Sequence, residues 1–252
     1  MSEEEKAPVE FGCFDREADL DISCRNLPHW FQVGAAMFIT FRTADSMPQE
    51  VVLRWKNELE MLLAERNLPT LLAQSVVGTT LPEHDAWLNQ LTAQERAQFK
   101  QLSDRAFHRS LDECHGACLL KRPDLAKIVG DAIWFYDDDK YDLDRFIVMP
   151  NHVHAIVQFR AGFSLKTVSQ SWMRYTARKI NLAVDREGVL WQPEPFDHII
   201  RSADQFSYLQ NYIEENPIKA NLAKGESLFG NCLLYTSPSP RDATLSRMPS
   251  SA

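Results

Sequence analysis

The chain has 252 residues, is 44% hydrophobic and contains no apolar run near bilayer length, which excludes a transmembrane protein and points to a soluble chain with one or at most two cores. Met1 to Asp21 lacks the apolar core of a secretory signal, so a cytoplasmic protein is expected, and five irregularly spaced cysteines read as reduced thiols rather than a disulfide framework. A formal charge of -8 argues against a nucleic-acid binder, because phosphate neutralisation favours a basic surface. The acid is not spread evenly, however. It is concentrated in the N-terminal segment (Glu3 to Glu5, Glu10, Asp15, Glu17, Asp19, Asp21), whereas Lys166 to Asn181 carries Lys166, Arg174, Arg178 and Lys179 with no acid at all. Local charge decides where a phosphate can sit.

In chain order, Ala35 to Arg42 is short, apolar and rich in strand formers, and reads as a first strand. Gln49 to Asn67 is an amphipathic helix with Val51, Val52, Trp55, Leu59, Leu62 and Leu63 at helical spacing. Leu68 to Leu91 is less regular. A second helix opens at the capping box Thr92 to Glu95 and carries Phe99, Leu102, Ala106, Phe107 and Leu111, and a third opens with Pro123 in its first turn. Tyr141 to Val148 and His152 to Phe159 form an antiparallel pair across Met149-Pro150-Asn151. Ser164 to Val184 is a helix with Leu165, Val168, Trp172, Thr176 and Ile180 inward. Val189 to Ile200 is strand-like, but Pro193 and Pro195 make it irregular or an edge. A last helix starts at Ser202 to Gln205 and runs to Asn216, before Pro217. Strands mixed with helices, without a repeating βαβ rhythm, predict an α+β fold: an antiparallel sheet with helices packed on its faces. Cys232 to Ala252 breaks from this pattern and resembles a translated sequencing-library adapter, so residues 232–252 are read as not native, with a natural disordered Ser/Pro tail as the alternative.

The chemistry gathers around the hairpin. Residues two apart on a strand share a face, so His152 and His154 present two imidazoles to one point, with Val153 behind. Such a pair suits a divalent ion; His-x-His alone is weak, and two histidines on a solvated edge strand are the commoner reading, but the apolar runs Phe146 to Met149 and Ala155 to Val157 favour the metal. Tyr212 and Asn216 stand one turn apart on the last helix, where a phenol can act as a nucleophile and an amide oxygen can complete a metal shell. An amphipathic helix ending on an Asn cap is the alternative. Tyr208 and Tyr175 are rival nucleophiles, and Tyr175 sits in the cationic helix, where an aromatic suits base stacking. Cys114-His115-Gly116-Ala117-Cys118 reads as a turn around Gly116 rather than half a zinc site. His198 could assist the site or orient Asp197.

Met149-Pro-Asn-His-Val-His154, with Leu190-Trp-Gln192, Phe196 to Arg201 and Tyr212-Ile-Glu-Glu-Asn-Pro-Ile-Lys-Ala220, closely resembles the REP-associated tyrosine transposases. The resemblance extends upstream through Leu27 to Phe31, Phe38 to Pro48 and Leu111 to Leu119. It implies a ferredoxin-like HUH nuclease fold over residues 25–231 with a helical insertion at about 49–113, following an acidic, flexible tail at 1–24. It also implies Mg²⁺ or Mn²⁺ at His152, His154 and Asn216, and Tyr212 attacking a DNA phosphate to leave a 5′-phosphotyrosine. By their charge, Lys166, Arg174, Arg178 and Lys179 are candidate DNA phosphate contacts, with a solvated helix face the equal alternative. The implied partner is single-stranded or hairpin DNA, without a membrane, and with a homodimer left open.

Two other classes fit parts of the pattern. A barrel metallohydrolase also uses His-x-His, but needs further histidines on later strands, and only His198 follows His154. A hairpin-binding protein that no longer cleaves would keep the fold and lose the chemistry.

Overall fold

The computed structural model describes residues 9–24, 28–65 and 92–231, which fall into two compact units. One unit lies within Met1–Thr43 and Leu119–Ala252, the other is Ala44–Cys118. The irregular stretch expected at 68–91 and the segment from Cys232 onward lie outside the described residues.

In the smaller unit, α1 (Gln49–Glu65) and α2 (Ala93–Asp112) pack on each other. The predicted capping box is made in full: Glu95 N–H donates to Thr92 Oγ1 at 3.2 Å, and Thr92 N–H donates to Glu95 Oε2 at 2.8 Å. Phe99, Leu102, Ala106 and Leu111 are buried, and Phe107 is half-buried. Val51 is buried on α1, whereas the side chains of Trp55, Leu59, Leu62 and Leu63 lie outside the described residues. After α2 the chain makes the expected turn. Gly116 has φ +90, and a Cβ there would stand 2.6 Å from the Asp45 carbonyl oxygen, so the position requires glycine.

In the larger unit, β3 (Ala36–Arg42), β4 (Tyr141–Val148), β5 (His152–Phe159), β6 (Phe196–Ile199) and β7 (Leu228–Asn231) form one antiparallel sheet in the order β6-β3-β5-β4-β7. A separate hairpin joins β1 (Asp21–Cys24) to β2 (Pro28–Phe31). The hairpin strand with the two histidines is therefore central, and the proline-interrupted segment supplies an edge strand. Alternation along β3 and β5 divides the core into two layers. Met37, Ile39, Phe41, Val153, Ala155 and Val157 face one layer, covered by α3 (Pro123–Trp134) and α4 (Leu165–Ala183). Ala36, Phe38 and Ile156 face the other, where Leu209 and Ile213 of α5 (Ala203–Lys219) pack.

Three features depart from the sequence reading. First, α5 continues through Pro217 to Lys219 instead of ending at Asn216. Proline removes one N–H donor and crowds one carbonyl, a cost the last turn tolerates because few bonds follow it; Ala220 N–H still closes on the Asn216 carbonyl at 3.0 Å. Second, Phe11 to Phe14, within the segment expected to be a flexible tail, are seated against the sheet and α5. Gly12 N–H donates to Gln158 Oε1 at 2.6 Å, Phe14 N–H to the Ile200 carbonyl at 2.8 Å, and the Phe11 ring meets Phe206 at 5.4 Å. Third, β1, β2 and β7 have no counterpart in the local pattern of the sequence.

His29 fastens the β1–β2 hairpin to the sheet edge. His29 on β2 bonds Asp197 of β6 through Nδ1 and lies 2.7 Å from Glu194 through Nε2, with its side chain largely buried. The hydrogen bond to Asp197 is the main reason its pKa rises from the ordinary 6.5 to about 9, with the Glu194 bond adding to it against the opposing cost of burial. Because the folded value is raised, the stabilisation is complete below pH 6.5 and is lost as pH climbs through about 9. Denaturation of the wild type and of His29→Gln, compared from pH 6 to 10, should show a gap of up to roughly 3 kcal/mol at the acid end that closes at the alkaline end. A gap independent of pH would mean that His29 acts by packing alone.

Candidate metal and tyrosine site

Local chemistry fixes the two imidazoles before any ligand is considered. His152 and His154 are both fully buried on the α5 side of β5, with rings 4.7 Å apart and ring nitrogens within 4.8 Å of one another. The Asn151 side-chain oxygen lies 2.7 Å from His152 Nδ1, so Nδ1 carries the proton and the lone pair is on Nε2. Asn151 is itself anchored, because its backbone carbonyl accepts from Thr43 N–H at 2.8 Å. Thr40, opposite His154 in the register of β3 and β5, has Oγ1 2.8 Å from His154 Nδ1. Anchoring each ring through Nδ1 is how proteins orient a histidine so that Nε2 can ligate. Sequence reasoning missed Thr40 and Asn151. Asn151 was discoverable as the hairpin residue directly before His152, whereas Thr40 required knowledge of the β3–β5 register.

The tyrosine arrives on the same face. Its ring centroid is 5.3 Å from that of His154 and 6.1 Å from that of Phe38, and Phe38 stacks on His154 at 5.2 Å. A β-bulge positions the helix that carries it. The register of β4 slips between Leu143 and Arg145, which turns polar side chains toward α5. Asp144 Oδ1 accepts from Gln210 Nε2 at 2.9 Å, and Arg145 binds both Asp144 and Glu214. Two polar anchors thus hold the turns of α5 on either side of Tyr212.

Asn216, one turn beyond Tyr212, is fully buried, and neither its amide oxygen nor its amide nitrogen has a hydrogen-bond partner among the described residues. Burying an amide without partners is unfavourable, so this position fits a ligand to the amide oxygen. The two oriented imidazoles offer nitrogen donors that suit a divalent cation. The extra turn beyond Pro217 brings Lys219 Nζ to 5.5 Å from the Tyr212 ring, steadied by Glu215 at 2.9 Å, a cation that the sequence reading did not use.

Other predicted residues fall elsewhere. Tyr208 is strongly exposed on α5, and Tyr175 is exposed on α4 across the sheet. Lys166, Arg174, Arg178 and Lys179 are all exposed on α4, so the cations are not beside Tyr212 but over the opposite sheet face. Asp197 is held by His29 and not by His198, because neighbouring strand residues point to opposite faces; His198 instead meets Phe38 at 5.3 Å.

The fold and site define a class: an α+β protein whose central antiparallel hairpin presents paired imidazoles to a tyrosine on a packed helix. Residues 125–216, which run from α3 to Asn216 and contain both histidines and Tyr212, match the family model of IS200-like transposases. The match bears out, over that stretch, the resemblance to tyrosine transposases carried by the sequence motifs. No curated protein matches the chain. Among solved structures it is similar to a REP-associated tyrosine transposase bound to a REP hairpin, with 14% identity and a TM-score of 0.38 over 78% of this chain and 74% of the other. Among the described residues, no helix is long and apolar enough to cross a membrane.

Proposed function

We propose that this chain is a metal-dependent single-stranded DNA endonuclease and strand transferase acting on hairpin-forming DNA, with Tyr212 as nucleophile. The observation that carries the reading is one sheet face holding two Nδ1-anchored imidazoles, a tyrosine 5.3 Å from one of them, and a buried, unpartnered Asn216 amide one turn on. His152, His154 and Asn216 would hold Mg²⁺ or Mn²⁺. When bound there, the ion would polarise a phosphoryl oxygen and stabilise the leaving oxyanion.

The protein's own groups carry the rest. Tyr212 loses its phenolic proton, its oxygen bonds to phosphorus, and the bond from phosphorus to the 3′ oxygen breaks, so that the 3′ oxygen leaves and takes up a proton. One phosphoester is exchanged for another, and the reverse step can rejoin a different strand without an added energy source. Lys219 puts positive charge beside the ring where negative charge develops.

The cationic face of α4 serves binding rather than chemistry. Its four cations and its lack of any acid make it the natural phosphate contact of an otherwise acidic protein. Replacing Arg174 and Arg178 by Ala should weaken hairpin affinity at all sequences. The slope of log affinity against log salt should also fall by about 0.7–0.9 for each phosphate contact removed. Unchanged slopes would mean a solvated helix face.

The reading is tested by incubating the protein with hairpin DNA carrying single-stranded flanks, with Mg²⁺ or Mn²⁺ or with a chelator. A metal-dependent, denaturant-stable protein–DNA adduct is expected. Tight binding without any adduct would favour a hairpin-binding protein that no longer cleaves, and neither binding nor adduct would sink both.

A further inference from the structure

We propose that Trp30 and Arg201 form a second DNA contact, a stacking platform for one unpaired nucleotide at the β6 edge of the sheet. The proposal rests on the DNA reading above and concerns a surface that reading does not use.

Trp30 is 40% exposed, a large ring left in solvent on a strand whose neighbour His29 is largely buried. The Arg201 guanidinium lies 5.9 Å from its ring centroid, within cation–π range. The backbone behind each partner is held. His29 clamps β2 to the edge through Asp197 and Glu194. The Arg201 backbone N–H donates to Gln205 Oε1 at 2.8 Å, which ties it to the first turn of α5. An exposed aromatic on an anchored strand, with a guanidinium by its ring, is what a nucleobase stacks on without regard to its identity.

The location suits a strand on its way to the candidate site. Arg201 directly precedes Ser202, the N-cap of α5, and Tyr212 lies on the same helix about 15 Å further along its axis. A few unpaired nucleotides span that distance. The surrounding charge also selects the ligand. Asp15, whose backbone N–H and carbonyl are bonded to the Gln32 side chain just after β2, belongs to an acidic run with Glu17, Asp19 and Asp21. Such a surface repels the dense phosphates of a duplex but allows a single stacked base with one phosphate at Arg201. The base's share of the attraction at this platform therefore comes from stacking and depends little on salt, in contrast to the phosphate contacts of α4.

The test uses the full chain and two hairpin oligonucleotides, one with unpaired thymidine flanks and one whose flanks are abasic, with affinities measured at low and high salt. The wild type should prefer the thymidine flanks roughly tenfold, and the preference should persist as total affinity falls with salt. Trp30→Ala should bind both hairpins equally, at the level of the abasic one, while Trp30→Phe should keep most of the preference. As a check that needs no variant, 5-iodouracil in the flank should cross-link to Trp30 of the wild type on irradiation. The proposal is overturned if Trp30→Ala keeps the full preference, if the wild type binds the hairpin without any preference, or if cross-links form only elsewhere. In those cases the DNA reading survives. If the wild type binds neither hairpin, the DNA reading falls as well.

Discussion

Tyr212→Phe should fold as the wild type does, keep its affinity for metal and for hairpin DNA, and form no covalent DNA adduct, a loss of roughly a thousandfold or more in adduct yield. The contrast follows from how the ring is held. Tyr212 packs through its ring faces and edges, against His154 at 5.3 Å, Phe38 at 6.1 Å and the Lys219 ammonium at 5.5 Å. Phenylalanine can make the same contacts, so removing the hydroxyl leaves packing almost intact while removing the atom that attacks phosphorus. Tyr208→Phe and Tyr175→Phe are the controls and should keep the adduct, since the first ring is strongly exposed and the second lies on α4, across the sheet. Adduct formation by Tyr212→Phe, together with its loss in one control, would move the nucleophile without changing the reaction class. Unaltered cleavage in all three would replace the tyrosine mechanism by hydrolysis through a metal-activated water.

What could be read from sequence was what short-range periodicity encodes. The bounds of β4 and β5 came directly from two apolar runs separated by a Pro-Asn turn, and the shared face of His152 and His154 followed from a period of two. The spacing of Tyr212 and Asn216 gave their common helical face in the same way. What could not be read depends on partners distant in the chain. Thr40 meets His154 only because β3 pairs with β5 across more than a hundred residues. The four-residue strand β7 has too little pattern to announce itself. It is fixed by Gly230, where a Cβ would come within 2.6 Å of the Phe146 ring, a close approach that local propensity cannot foresee. Likewise, the charge run in α4 was visible, but which sheet face would receive the helix was not. The separation of the cations from the tyrosine is a property of topology.

Replacing His152 and His154 together by Ala should abolish metal-dependent cleavage and metal binding while leaving hairpin affinity within a few fold. The phosphate contacts assigned to α4 lie on the other side of the sheet and share no side chain with the imidazoles. The difficulty is that both rings are fully buried, so the double variant also opens space in the core, at a cost on the order of a few kcal/mol. A structural role would mimic a catalytic one if activity were the sole readout. Thr40→Val separates them, because it keeps nearly the same volume and removes only the hydroxyl that meets His154 Nδ1 at 2.8 Å. If that contact orients His154 for a metal, Thr40→Val should weaken Mn²⁺ affinity by roughly tenfold to a hundredfold, and excess metal should restore most of the cleavage. If His154 is merely a packed core ring, Thr40→Val should change thermal stability and leave the metal titration unmoved. Equal loss of hairpin binding and cleavage in the double variant would likewise assign the histidines to the scaffold.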